Sequence, residues 1–247
     1  MHSARAALAL RNVVNYNQSA WDSQAILRVL DIPALDLAQG AHVAVTGPSG
    51  CGKTTFLHVL AGLERPTSGD VIWLSQSLYE MSESARDRWR ARNVGIVFQE
   101  PGLFHELTAL ENVLVPTWLQ NLWVEARLKH HARHLLLRVG VRPEAMGFAL
   151  SRGEAQRVGL VRAVIRQPPI LLADEPTASL DAANGFAVRD LLLELTREYG
   201  ATLIVTTHDE NVAAAMAQRY EIRDARLDAA IVDATARSEP CESVSHP

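Results

Sequence analysis

The chain opens on two stretches in which apolar and polar residues alternate, Ala6 to Asn15 and Leu30 to Leu37. A period of two turns every second side chain to one face, which predicts a pair of half-buried strands. The polar segment from Asn17 to Ser23 is expected to join them as a loop. Ala41 to Thr46 reads as a short buried strand, followed by a glycine-rich turn and a helical pattern from Thr54 to Leu63 that stops near Gly62. After the turn signal Pro66-Thr67-Ser68-Gly69, Val71 to Leu74 predicts a further strand. Ser84 with Asp87 suggests the cap of an arginine-rich helix, and Val94 to Phe98 suggests a buried strand.

From Pro101 to Arg166 the periodicity is helical, opened by a capping box at Thr108 and Glu111 and expected to be interrupted at Pro116 and Pro143. Strand signals return at Ile170 to Ala173 and at Thr202 to Thr206, on either side of an amphipathic helical stretch. That alternation belongs to a parallel α/β sheet. The expected organisation is one domain over residues 1–232, with a core of 1–100 and 166–232 interrupted by a helical subdomain, 101–165. The tail 233–247 is small, polar and proline-ended, and reads as disordered.

Composition then removes several classes of function. With 247 residues and 48% hydrophobic content the chain can fill a sizeable core, and its formal net charge of −4 lacks the basic excess of a nucleic-acid binder. No run approaches the ~20 apolar residues that cross a bilayer, so no membrane span is expected. Cys51 and Cys241 are too few for a disulfide framework, and a cytoplasmic chain with reduced thiols is expected.

The chemistry concentrates in two places. Gly47-Pro48-Ser49-Gly50-Cys51-Gly52-Lys53-Thr54 fits G-x-x-x-x-G-K-[ST], lies after a strand and opens a helix, with Thr55 next. In such a loop the glycines let backbone N–H groups curl around phosphates at a positive helix end. Lys53 neutralises the terminal phosphates, and the Thr54 hydroxyl can coordinate Mg²⁺. Ile170 to Ala173 delivers two adjacent carboxylates, Asp174 and Glu175, at the end of a strand expected beside that loop. Asp174 would hold Mg²⁺ and Glu175 would act as general base on the attacking water. His130 and His134 have the i, i+4 spacing of metal ligands, but no Cys, Asp or Glu nearby completes a set, and a solvated helix face explains them.

Leu150-Ser151-Arg152-Gly153-Glu154-Ala155-Gln156-Arg157 lies shortly before the acidic strand and is similar to the signature of ABC-family ATPases. Further landmarks stand in that family's order: Tyr16, Gln99, Ser179-Leu180-Asp181 and His208. The chain therefore resembles ABC ATPases over most of its length. Ala61-Gly62-Leu63, Thr108-Ala109-Leu110-Glu111-Asn112-Val113 and Glu221-Ile222-Arg223-Asp224 look most like the lipoprotein-releasing and macrolide-exporting branch.

The resemblance implies a P-loop core with a mostly parallel sheet, an antiparallel β subdomain and a helical subdomain. It also implies a head-to-tail homodimer, or a pair with another ATPase subunit, peripheral on the inner face of the cytoplasmic membrane and coupled to permease subunits. Ser151 and Gly153 would reach the γ-phosphate of ATP held by the partner, and Asp181 would lie at the dimer contact. Gln99 would contact Mg²⁺, His208 would bond the γ-phosphate, and Tyr16 would stack on adenine, with Trp21 as its competitor. The uncharged stretch Asn112 to Val124, with Trp118 and Trp123, is either a permease contact or ordinary core. Arg152 departs from the family's usual glycine: its guanidinium could add a charge-assisted hydrogen bond to the partner's phosphate, whereas its bulk or a strained backbone could hinder closure, and the expected net effect is a hindrance of about 1 kcal/mol, roughly fivefold in rate.

Overall fold

The computed structural model describes residues 6–18, 26–118 and 125–229. Trp21, Trp123, Cys241, most of the expected loop before Ser23 and the tail 233–247 lie outside them. The chain begins with β1 (Ala6–Gln18), β2 (Ile26–Ala38) and β3 (His42–Thr46), then α1 (Lys53–Leu60). Next come β4 (Ser68–Trp73), β5 (Gln76–Ser77), α2 (Glu83–Asn93) and β6 (Val94–Val97). The helical portion holds α3 (Ala109–Trp118), α4 (Ala126–Arg138), a 3₁₀ turn at Gly147–Ala149 and α5 (Arg152–Val164). The chain returns through β7 (Ile170–Asp174), α6 (Ala182–Tyr199), β8 (Thr202–Thr206), α7 (Glu210–Ala214), β9 (Gln218–Arg223) and β10 (Arg226–Ala229).

Two sheets result. One is antiparallel, ordered β2-β1-β4-β5; the other is six-stranded, ordered β10-β9-β3-β8-β7-β6, parallel from β9 through β6 with β10 antiparallel at its edge. The period of two explains how the six-stranded sheet is covered. Leu171, Ala173, Leu203 and Val205 turn to one face and pack with α3, α5 and α6 residues such as Val113, Leu160 and Leu192. Ile170, Leu172, Ile204, Val43 and Val45 turn to the other, onto Phe56 and Leu60 of α1 and onto the antiparallel sheet through Leu8, Leu30 and Trp73. Strands buried on both faces read as continuous apolar runs, which is why β7 and β8 were conspicuous in the sequence. The Asp31 N–H donates to the Ala225 carbonyl at 2.7 Å and ties the two sheets together.

Three local expectations need correction. The first strand runs on through Gln18, taking Asn17 from the expected loop, because it stays paired with β2 up to Ile26. Helix α2 is capped by Ser82, whose side chain accepts from the Ala85 N–H, so Ser84 and Asp87 lie inside it and Asp87 pairs with Arg90. Pro116 does not interrupt α3: the helix continues through Trp118, and buried Val113, Leu114 and Thr117 hold the turn in place. Of the stretch Asn112 to Val124, the described residues 112–118 include buried Val113, Leu114 and Thr117. Asn112 is fully buried, accepting from the Phe104 N–H and donating to the Phe104, Leu107 and Thr108 carbonyls; Trp118 is exposed. The Thr108–Glu111 capping box forms as expected.

Candidate functional site

The parallel strands β3, β6, β7 and β8 end at one edge of the sheet, and the chemistry-bearing residues follow their carboxyl ends. Between β3 and α1 the loop turns on glycines that no other residue could replace without movement. Gly47 has φ +147°, and a Cβ there would lie 2.6 Å from the Ile222 carbonyl oxygen and 2.7 Å from Cys51 Sγ. Gly52 caps α1 with φ 108°, and a Cβ would meet Val29 at 2.8 Å. No side chain caps α1, so the first-turn N–H groups of Lys53, Thr54 and Thr55 are available to an anion. Pro48, Ser49 and Gly50 are exposed at the loop's tip.

Lys53 is buried, and its ammonium donates to the carbonyls of Gly47 (2.9 Å) and Pro48 (3.1 Å). It also stands 3.5 Å from Glu175 Oε1. The other Glu175 oxygen faces His208 Nδ1 at 2.7 Å and accepts from the His208 N–H at 3.2 Å. Glu175 has φ +44°, a left-handed conformation held by its own N–H donating to the Thr206 carbonyl at 2.9 Å. Asp174 occupies the preceding position with a different set of partners. Thr54 Oγ1 donates to its Oδ2 at 2.9 Å and Thr206 Oγ1 to its Oδ1 at 2.6 Å. Hydroxyls thus hold Asp174, whereas the Lys53 ammonium and the His208 ring flank Glu175. Gln99 follows β6 at the same edge and is exposed.

A second group lies on α5. Ser151 caps the helix and forms a capping box with Glu154, whose carboxylate accepts from the Ser151 N–H (2.9 Å) and hydroxyl (2.7 Å). Those bonds, the hydroxyl's first, hold the Glu154 carboxyl below the usual carboxylate range. Arg152 is exposed at the first helical position without positive φ, so the backbone does not require glycine there and the expected strain is absent. Gly153 does need to be small, because a Cβ would lie 2.7 Å from Asn184 Oδ1. Asn184 is bound to Asp181, the N-cap of α6, whose side chain accepts from the Asn184 backbone and amide and is held low by them. Among the described residues no hydrogen bond or ion pair links Ser151, Gly153 or Asp181 to the cluster around Lys53 and Glu175.

Tyr16 is exposed on β1 opposite Arg28 of β2, one residue from the Val29 that abuts Gly52. His130 and His134 are exposed on α4, and among the described residues no cluster of three metal-ligating side chains exists.

A glycine-rich loop running into an uncapped helix, a lysine at its start and two carboxylates on the neighbouring strand define a P-loop nucleoside triphosphatase. Within that class the chain belongs to the ABC transporter family, whose profile matches residues 30–178. It is the ATP-binding, ATP-hydrolysing subunit of an ABC transporter. The lipoprotein-releasing system ATP-binding protein LolD of Myxococcus xanthus is 40% identical over 217 residues, 87% of this chain and 96% of that protein. LolD 2 of Rhodospirillum rubrum is 40% identical over 222 residues, with 89% and 96% covered. The dimeric ATP-binding cassette MJ0796 in a post-hydrolysis state with ADP and Pi superposes with a TM-score of 0.80 at 31% identity, covering 89% of this chain and 96% of that one.

Proposed function

We propose that the chain powers a lipoprotein-release-like permease by ATP-driven closure of a head-to-tail dimer, on the inner face of the cytoplasmic membrane. The observation that carries this reading is the division of the two carboxylates beside an open phosphate loop, Asp174 held by two hydroxyls and Glu175 set between the Lys53 ammonium and the His208 ring. The relatives named for lipoprotein release support the choice of permease. Among the described residues no helix is long and apolar enough to cross a membrane. The domain reading is retained: a core of 1–100 and 166–232 with residues 101–165 as the part that meets the permease.

In this reading phosphates seat on the N–H groups from Gly47 to Thr55, and Lys53 exchanges its carbonyl and carboxylate partners for phosphate oxygens. The oxygen-rich pair Thr54 and Asp174, 2.9 Å apart, suits a hard cation; with Gln99 they would hold Mg²⁺, which neutralises phosphate charge when bound. Release of Lys53 leaves Glu175 with His208. Glu175 then accepts a proton as the water oxygen bonds to the γ-phosphorus and the bond to the β-phosphate oxygen breaks. His208 bonds the γ-phosphate, Tyr16 stacks on adenine, and Ser151, Gly153 and Asp181 of one copy complete the other copy's site.

Glu175→Gln tests the core of this. It keeps the shape and loses the base, so ATP should still bind, turnover should fall by orders of magnitude, and an ATP-held dimer should accumulate in size-exclusion chromatography. A variant that hydrolyses ATP at the wild-type rate removes Glu175 from the role.

A further inference from the structure

Thr206 is the last residue of β8, and Asp174 is its register partner at the end of β7. The Thr206 side chain is fully buried. Its hydroxyl has two acceptors within range, the Asp174 carboxylate at 2.6 Å and the Ala173 carbonyl at 3.4 Å, and one proton to give. The charged acceptor at the shorter distance takes it. Asp174 therefore has a hydroxyl on each oxygen, one from the sheet interior and one from Thr54 at the start of α1.

The terminal torsion of an aspartate is broad, so the backbone alone does not fix the plane of its carboxylate. Two hydroxyl donors on opposite oxygens do. If Thr54 lends its oxygen lone pairs to a cation, its proton stays on Asp174 Oδ2 only while the carboxylate keeps that oxygen turned toward α1. The donor that keeps it turned is Thr206, which nothing in the phosphate-loop motif or the acidic strand signals.

We propose that Thr206 is a positioning residue for Mg²⁺ binding: its buried hydroxyl fixes the Asp174 carboxylate so that Asp174 and Thr54 present a preset pair of oxygens. The same residue's backbone carbonyl accepts the Glu175 N–H, so one residue anchors both carboxylates by separate groups, and side-chain substitution leaves the Glu175 anchor in place. This rests on the assignment of Thr54 and Asp174 to Mg²⁺ made above.

The test measures nucleotide affinity rather than turnover. A fluorescent, non-hydrolysable ATP analogue is titrated into wild type, Thr206→Val and Thr206→Ser across a Mg²⁺ series and in EDTA. Valine keeps the shape and removes the donor; serine keeps the donor. Outer partners of metal ligands commonly contribute 10- to 100-fold, so Thr206→Val should raise the Mg²⁺ midpoint at least about tenfold, with EDTA affinity and the Thr206→Ser midpoint near wild type. Should the valine variant not fold, Thr206→Cys, similar in size with only a weak S–H donor, carries the same expectation. An unchanged midpoint in the valine variant overturns the proposal, as does an equal shift in the serine variant or an equal loss of affinity in EDTA. A wild type whose nucleotide affinity ignores Mg²⁺ would instead remove the Thr54–Asp174 assignment itself, and the proposal with it.

Discussion

Glu154→Gln asks whether the carboxylate that caps α5 works against the phosphate that the helix is proposed to meet. Glu154 Oε2 accepts the Ser151 hydroxyl at 2.7 Å, and the bonds from Ser151 keep the group charged at neutral pH. A phosphate oxygen that takes this hydroxyl's one proton from Glu154, at an ordinary length of about 2.7 Å, would stand within about 5.4 Å of that carboxylate oxygen, which keeps the Ser151 N–H. Two like charges at that separation repel by about 0.8 kcal/mol in bulk water and about 3 kcal/mol at a dielectric of about 20. The site lies at the surface, so a value near about 1 kcal/mol, roughly fivefold in association, is the working figure. Glutamine still serves at the third position of a capping box, so the helix end stays formed. In a Glu175→Gln background, where hydrolysis is arrested, analytical ultracentrifugation with ATP should show a dimer about fivefold tighter for Glu154→Gln, the gain shrinking as salt is added. Glu154→Ala is the control, since losing the reciprocal bond from the Ser151 N–H should lower stability by about 1 kcal/mol while Ser151 still caps the helix. An unchanged or weaker dimer from a Glu154→Gln chain of normal melting temperature refutes the reasoning.

Arg152→Gly should raise basal ATPase by at most about fivefold, through lost bulk alone, because the arginine already has ordinary helical geometry. A fall of orders of magnitude in the steady-state rate would instead make the guanidinium a cation supplied to the partner's phosphate. Cys51, half-buried in the phosphate loop, should be blocked by maleimide with loss of ATPase, ATP should protect it, and Cys51→Ser should resist. Glu111 and Glu154 have folded pKa values below their unfolded ones, for Glu111 chiefly through the Thr108 N–H and for Glu154 chiefly through the Ser151 hydroxyl. The stability they add is complete above the unfolded carboxylate pKa and lost as pH falls through the lower folded value. Melting temperatures followed from about pH 6 to about pH 3 should therefore drop less steeply in a Glu111→Gln/Glu154→Gln variant.

Much of this was legible because the physics involved is local. The phosphate loop advertises itself through glycines that a positive φ and a close approach demand, and β7 and β8 through apolar runs buried on both faces. Where a side chain's partner is distant in sequence, the signal vanishes. Thr206 meets Asp174 across 32 positions, and as the last residue of a strand it looks like any β-branched filler. The short strands β5, β9 and β10 escaped for the same reason, being defined by pairing rather than by a pattern of their own. Two misses had a readable signal. Ser151 and Glu154 spell a capping box that the signature motif overshadowed, and Ser82 competed with Ser84 for one cap, a choice settled only by where α2 begins to pack. Pro116 misled in the opposite direction, since the helical bond that a proline forfeits is outweighed here by the buried Val113, Leu114 and Thr117 around it.

The left-handed backbone of Glu175 has an evolutionary consequence. A non-glycine residue held at positive φ costs on the order of 1 kcal/mol, and asparagine or glycine would relieve much of it. Drift under selection for folding alone would therefore move the position away from glutamate. On the base role proposed for Glu175, a lineage that keeps glutamate here is under selection for turnover, and a paralogue with glycine or asparagine at 175 would be expected to have given hydrolysis up.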